Sequence, residues 1–262
     1  MTISKSVGRN GVNSKVDVKV IQAALNLLKI NNFVLENKLI VDGIIGKKTI
    51  SAIDTFQKNI VALNTPDGRI DPTGKTLALL KKYFSKGLSE DALMAIMTLG
   101  QASTIKKYLP FFKDALPKYK INTPLRITHL LAQIGHESKS LLYTEELASG
   151  AAYENRKDLG NINHGDGVRF KGRGLLQITG RDNYANYGKY IGIDLLKKGN
   201  ENIISKNPKY ALDVSLWFWD SRHLNRYADN DNLNGITRRI NGGLNGLHDR
   251  QNYLNRARFF LI

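Results

Sequence analysis

The spacing of apolar residues constrains this chain more than any other feature. They return at i, i+3, i+4 and i+7, the period of a helix with one buried face. In "DVKVIQAALNLLKI" the series is Val18, Ile21, Leu25 and Leu28, and in "KKTISAIDTFQKNI" it is Ile50, Ile53 and Phe56 plus Ile60. In "TPLRITHLLAQIGHES" it is Ile127, Leu130, Leu131 and Ile134, with Thr123 as N-cap and Pro124 at the first helical position. "SEDALMAIMTLG" opens on Ser89 as N-cap with Asp91 in the first turn. "PKYALDVSLWFWDSRHLNRYA" and "LHDRQNYLNRARFFL" read as further helices. In the glycine-rich "GDGVRFKGRGLLQITGRDNY" only "LLQIT" alternates, which predicts a short strand with Gln177 and Thr179 on one face and Leu176 and Ile178 on the other. The expected fold is mainly α, with a small β element.

The 262 residues are enough for one or two domains. A lysine-rich, glycine-containing stretch, "KKYFSKGLSE", precedes a new helical pattern and suggests a boundary between residues 1–86 and 87–262. Within the first part, "LIVDGIIGKKT" and "PDGRIDPTGKT" repeat the Asp-Gly and Gly-Lys turn signals, each before a helix. That predicts a three-helix unit.

Composition narrows the chemistry. With no cysteine, disulfides, thiolate metal sites and a cysteine nucleophile are excluded. The N-terminus has no apolar segment of the signal-peptide kind, and no run is long enough to span a bilayer, so neither export by a cleaved leader nor stable membrane insertion is expected. The net charge of +16 favours polyanionic partners. It is spread, with 13 Lys/Arg against 6 Asp/Glu in residues 1–85 and 26 against 17 in the remainder. No block of like charges or aromatic-laced basic helix marks a nucleic-acid site, so none is expected. The five histidines, His129, His136, His164, His223 and His248, show no metal-ligand spacing. No metal or cofactor is expected.

Carboxylates are better placed. Glu137 continues the apolar stripe of its helix, three residues after Ile134 and seven after Leu130. A carboxylate there is paired, hydrogen-bonded or driven toward its neutral form. It is either a general acid or a helix-terminal glutamate reaching solvent. Glycoside hydrolysis needs a second carboxyl group across the bond, and Glu145, Glu146 and Glu154 all lie beyond a break in the helix. Gly172 and Gly174 permit close backbone approach by another chain or a ligand. Gln177 and Thr179 could face an acetamido sugar or a water. The stretch lacks the GxxxxGK[ST] order of a phosphate loop. "INGGLNG" is a second glycine turn bearing the Asn241 amide, either a sugar contact or a plain helix cap.

Two resemblances draw these features together. "VDVKVIQAALN", "VDGIIGKKTISAIDTFQ" and "DGRIDPTGKTLALL" resemble the small three-helix peptidoglycan-binding domain of cell-wall hydrolases. "AQIGHES", "FKGRGLLQITGRDNY", "SLWFWDSRHLN" and "ITRRINGGLNGLHDR" resemble, in order, the lysozyme/chitinase-like branch of glycoside hydrolase family 19. The resemblance implies a mostly helical lysozyme-like catalytic domain with a small β element beside the cleft, and an inverting mechanism. It makes Glu137 the general acid, Glu146 the second acid and Thr179 the residue that positions water. Gln177, Asn183, Asn241 and Tyr143 become substrate-binding residues, and Arg250 a substrate-site or electrostatic partner. The segment between "TEEL" and "FKGRG" is short for the family, which leaves Glu154 as the alternative second acid, with Glu145 a surface neighbour. Asn245 stands where plant chitinases carry an acidic residue. Together the two parts resemble a monomeric phage-type endolysin that cleaves the β-1,4 glycan backbone of peptidoglycan. It would be made in the host cytoplasm and reach the periplasmic wall through a holin. A chitinase and a non-catalytic wall-binding protein are the alternatives.

Overall fold

The computed structural model describes residues 3–30, 33, 35 and 37–262. Thirteen α-helices account for most of the described residues. The chain divides into two compact units, Met1–Thr98 with Asn252–Ile262, and Leu99–Gln251.

In the first unit β1 (Val7–Gly8) is followed by α1 (Lys15–Asn26), α2 (Lys47–Asn59), β2 (Arg69–Ile70), α3 (Lys75–Tyr83) and α4 (Glu90–Ile96). β1 and β2 pair antiparallel, Val7 opposite Ile70. The predicted stripes face inward, with Val18, Ile21, Leu25, Ile53 and Phe56 buried. This unit does not stop at residue 86. α4 lies against α1, and the Lys19 ammonium donates to the Thr98 carbonyl at 2.7 Å. The chain's last residues also return here. Phe84 packs on Phe259 and Phe260 with ring centroids 4.8 and 5.6 Å away, and Arg256 donates to the Ile96 carbonyl. Apolar contact at long sequence separation, which no local pattern announces, therefore places the division after Thr98.

The repeated turn signals fold into one device used twice. Gln22 on α1 donates to the Asp42 carboxylate and the Ile44 carbonyl, at 3.0 and 3.1 Å, and accepts from the Gly43 amide at 2.9 Å. Gln57 on α2 donates to the Asp67 carboxylate and the Arg69 carbonyl, at 2.6 and 2.9 Å, and accepts from the Gly68 amide at 2.9 Å. The threonine heading the next helix, Thr49 or Thr76, completes each set. Gly43 and Gly68 have φ of +81° and +64°, values that favour glycine in an Asp-Gly turn. Each buried glutamine amide thus satisfies the polar groups of a turn that would otherwise be orphaned in the interior.

The second unit contains α5 (Ala102–Ala115), α6 (Pro124–Glu137), α7 (Asp166–Arg169), α8 (Arg181–Ile191), α9 (Ile203–Lys206), α10 (Pro208–Ser221), α11 (Leu224–Asp229) and α12 (Leu233–Asn241), and α13 (Leu247–Leu261) begins in it. Thr123 caps α6 as expected, its hydroxyl accepting from the Arg126 amide. α10 packs against α5, α9 and α11, and α11 against α6 and α12. The single helix predicted from Pro208 to Ala228 is two, because His223 takes φ +54° and turns the chain between them.

The predicted strand over "LLQIT" is not formed. Residues 174–177 make a tight turn closed by reciprocal Arg173–Ile178 backbone hydrogen bonds of 3.0 and 2.7 Å. Leu175 and Leu176 are both buried, which alternation forbids, and Gln177 takes φ +54°. The β element of this unit is a set of isolated bridges, Glu145–Arg173 and Arg173–Ile178.

Replacing Gln57 by Leu keeps the volume but strands the buried Gly68 amide and its turn. We expect a loss of about 1–3 kcal/mol, read as a lower denaturant midpoint for the first unit, and a similar loss for Gln22→Leu.

Candidate active site

Glu137 is the last residue of α6, and its carboxylate is paired. Arg250, near the start of α13, donates to it and to the Gln133 side-chain oxygen, both at 2.5 Å. Arg250 is fully buried, and Glu137 keeps 15% of its side chain exposed. Gln133 in turn donates to Thr237 on α12 at 3.4 Å. Of the ways to hold a carboxylate on an apolar stripe, the chain uses a buried counter-charge. One position earlier, the His136 ring shares a 2.7 Å hydrogen bond with Asp249. Consecutive residues of α6 are thus tied to consecutive residues of α13.

The burial of Arg250 corrects the expectation that it binds substrate. With no exposed surface, it fits the other expectation, an electrostatic partner, its guanidinium donating to Glu137 and Gln133.

Beyond Glu137 the backbone does something that the residue types do not announce. Lys139, Ser140 and Leu141 are three successive non-glycine residues with φ of +49°, +64° and +68°. Each such residue is individually uncommon and strained. Buried Ser138 holds the turn, its hydroxyl donating to the Ile134 carbonyl at 2.6 Å and accepting from the Leu141 amide at 2.9 Å. This turn redirects the chain toward Tyr143, Glu145 and Glu146.

Glu146 sits against the 172–177 segment. Its carboxylate accepts from the Gly172 amide and the Tyr153 hydroxyl, both at 3.1 Å. A Cβ on Gly172 would lie 2.9 Å from the Gln177 side-chain oxygen and 3.2 Å from the Glu146 carboxylate. What approaches this glycine is therefore the chain's own pair of polar groups. Gly174 instead packs on Val214 of α10. Gln177 donates to the Gly174 carbonyl at 2.9 Å, Thr179 to the Gln177 carbonyl at 3.1 Å, and Asn183 to the Thr179 carbonyl at 2.7 Å. Glu146, Gln177, Thr179 and Asn183 are thus joined in one half-buried cluster.

Glu154 is held differently. Its two oxygens accept from the Gly165 and Val168 amides, at 3.1 and 3.2 Å, across the start of α7. Glu145 is not the surface neighbour expected. It accepts from Arg173, Lys171 and Ser205 within 3.3 Å. Desolvation pushes its carboxyl up, but the Arg173 charge and hydrogen bonds from Lys171 and Ser205 outweigh that and hold it below its ordinary value. Tyr143 is partly exposed, with the Lys139 ammonium 5.9 Å from its ring. Asn241 is exposed at the end of α12, where Gly242 at φ +78° caps the helix. Neither joins the two clusters. Gln133, Tyr153 and the His136–Asp249 pair belong to the site's framework and carry no distinctive sequence signal.

The glycosyl hydrolase family 19 model, described as chitinase class I, matches residues 126–252. These residues form a family 19 glycoside hydrolase domain. A glycosyl hydrolase family 19 domain-containing protein of Haemophilus influenzae is 38% identical over 105 residues, covering 40% of this chain and 49% of its own. An Arabidopsis thaliana endochitinase, At2g43610, is 35% identical over 117 residues, covering 45% of this chain and 39% of its own. The chain thus spans half or less of the length of these two relatives. The crystal structure of chitinase C from Streptomyces griseus superposes with a TM-score of 0.55 at 22% identity, over 66% of this chain and 91% of that one, a likeness of fold. The family 19 match begins in α6 and ends in α13, so it encloses both carboxylate clusters.

Two outcomes follow for the family 19 domain. Arg250→Ala leaves the Glu137 carboxylate without its buried partner, and we expect a loss of about 3–5 kcal/mol by equilibrium denaturation. Because the Glu145 carboxyl is held low in the folded state, its stabilising contribution is present above the ordinary carboxylate range and fades as pH falls through and below it. Glu145→Gln should therefore lose less stability than wild type between neutral and acidic pH, measured as melting temperature against pH.

Proposed function

We propose that the chain hydrolyses the β-1,4 glycan backbone of bacterial peptidoglycan by an inverting acid/base mechanism. The observation that carries this reading is a partly exposed carboxylate, Glu137, fixed by a fully buried arginine and separated by a left-handed turn from a second carboxylate, Glu146. A pair of carboxyl groups on separate elements is what glycosidic hydrolysis requires. In this scheme Glu137, in the molecules that carry its proton, gives it to the glycosidic oxygen as the C1–O bond breaks, and Arg250 pairs with the carboxylate that remains. A water attacks C1 from the opposite face and gives its proton to ionised Glu146. The product is a hemiacetal of inverted configuration, and solvent exchange restores both carboxyl groups.

Thr179 is assigned to positioning that water, and Gln177, Asn183, Asn241 and Tyr143 to binding sugar. Glu146 is preferred to Glu154 because it lies in the cluster with Gln177, Thr179 and Asn183, whereas both oxygens of Glu154 serve the backbone that starts α7. The peptidoglycan assignment is supported by the first unit, whose repeated turns carry the resemblance to wall-binding domains, and by the +16 charge, which suits an anionic envelope. A tether of that kind raises the local enzyme concentration on an insoluble polymer. The role we assign is that of a phage-type endolysin acting on the periplasmic wall after release through a holin. The relatives named endochitinases favour a second reading, hydrolysis of GlcNAc polymers.

Mass analysis of digests separates these readings. Glu137→Gln and Glu146→Gln should each lower reducing-end release from purified sacculi about 10²–10⁴-fold, while Glu154→Gln retains most activity. A silent Glu154→Gln beside an active Glu146→Gln would exchange their roles. Faster cleavage of chitin oligomers than of sacculi would favour the second reading.

A further inference from the structure

α11 and α12 present an arginine cluster that the catalytic scheme leaves unused. The Arg226 and Arg239 guanidinium carbons lie 5.0 and 4.7 Å from the centroid of one ring, Tyr227. Arg226 also donates to the Tyr227 hydroxyl at 3.0 Å. That hydrogen bond, with one from Arg239, holds the phenol below its ordinary value despite some desolvation. Both arginines are exposed, as are Arg222 and Arg238 beside them. Among the described residues none of the four has an ion-pair partner. The sequence from 220 to 240 contains three carboxylates, and two are committed elsewhere: Asp229 to Arg126 at 2.7 Å and Asp231 to His129 at 2.8 Å. Two like charges gathered on one ring repel each other, and an anion between them relieves that repulsion. Planar guanidinium forks pair best with carboxylates or phosphates, two donors to two oxygens.

The cluster faces away from the carboxylate site. Thr237 on α12 turns inward to Gln133 and so toward the Glu137–Arg250 pair. Arg239 is two residues on, about 200° round the helix at about 100° per residue.

We propose that Arg226, Tyr227 and Arg239 form a second polymer-binding site, which takes carboxylates of peptide side chains on a wall strand other than the one being cleaved. This rests on the peptidoglycan reading above. A neutral GlcNAc polymer has no group for the site, whereas the peptides of a sacculus offer many closely spaced carboxylates. The geometry makes the site a lateral hold on a meshwork, distinct from recognition of the scissile sugar.

The test uses the full chain carrying Glu137→Gln, pelleted with sacculi stripped of phosphate polymers. Adding Arg226→Gln and Arg239→Gln should weaken binding about five-fold at low salt and flatten its salt dependence. Arg226→Lys with Arg239→Lys keeps the charge without the forks and should retain only part of the binding, and melting temperatures should stay near that of the parent. Unchanged affinity in the glutamine variant would overturn the proposal. So would a loss seen only with sacculi that retain phosphate polymers, which would make the ligand a phosphate, or a parallel fall in binding and melting temperature in both variants, which would make the arginines structural. Reducing-end release by wild type is scored separately. Arginine-dependent pelleting without release would sink the peptidoglycan-hydrolase reading and leave the binding site standing.

Discussion

The second unit is organised around one buried ion pair, Glu137 with Arg250. A guanidinium without solvent contact is tolerable only where its donors are used, and here they reach Glu137, Gln133 and the Asn245 carbonyl. The pair joins the end of α6 to the start of α13, while Gln133 extends the network to Thr237 on α12. The end of α6 and the neighbouring helices α12 and α13, some hundred residues later, are thereby joined in one network around a single carboxylate. An apolar substitute of the same size could hold the helices together, but it could not keep a carboxylate at the edge of the core.

The first unit solves a similar problem with neutral groups. Two Asp-Gly turns must enter the interior, and each brings backbone donors and acceptors that water cannot reach. Gln22 and Gln57 meet them with both ends of an amide, in matching geometry. One unit thus buries a charge pair to hold a carboxylate, and the other buries amides to hold turns.

Much of this was legible in the residues. Helical stripes and the Thr123–Pro124 start located α6, and the same stripe exposed Glu137 as the odd member. The repeated Asp-Gly and Gly-Lys signals marked the paired turns, although their glutamine partners sit on another helix and left no local trace. Arginine is ordinarily a surface residue, so nothing local to "LHDR" indicated a buried Arg250. "LLQIT" misled because Leu176, Gln177, Ile178 and Thr179 alternate in type while the chain turns through them. The return of Phe259 and Phe260 to Phe84 is tertiary packing across the chain's full length, beyond the reach of any window of sequence.

The left-handed run at Lys139, Ser140 and Leu141 has a further consequence. Because three backbone dihedrals set the direction of the chain after Glu137, the relation between the two acidic groups is written into main-chain geometry rather than rotamer choice. Exchanging glutamate for aspartate would shorten a reach without altering that frame. Changing the separation of the two carboxylates would mean rebuilding the corner itself. Glycine there would relieve strain at the same time as it surrendered the angle.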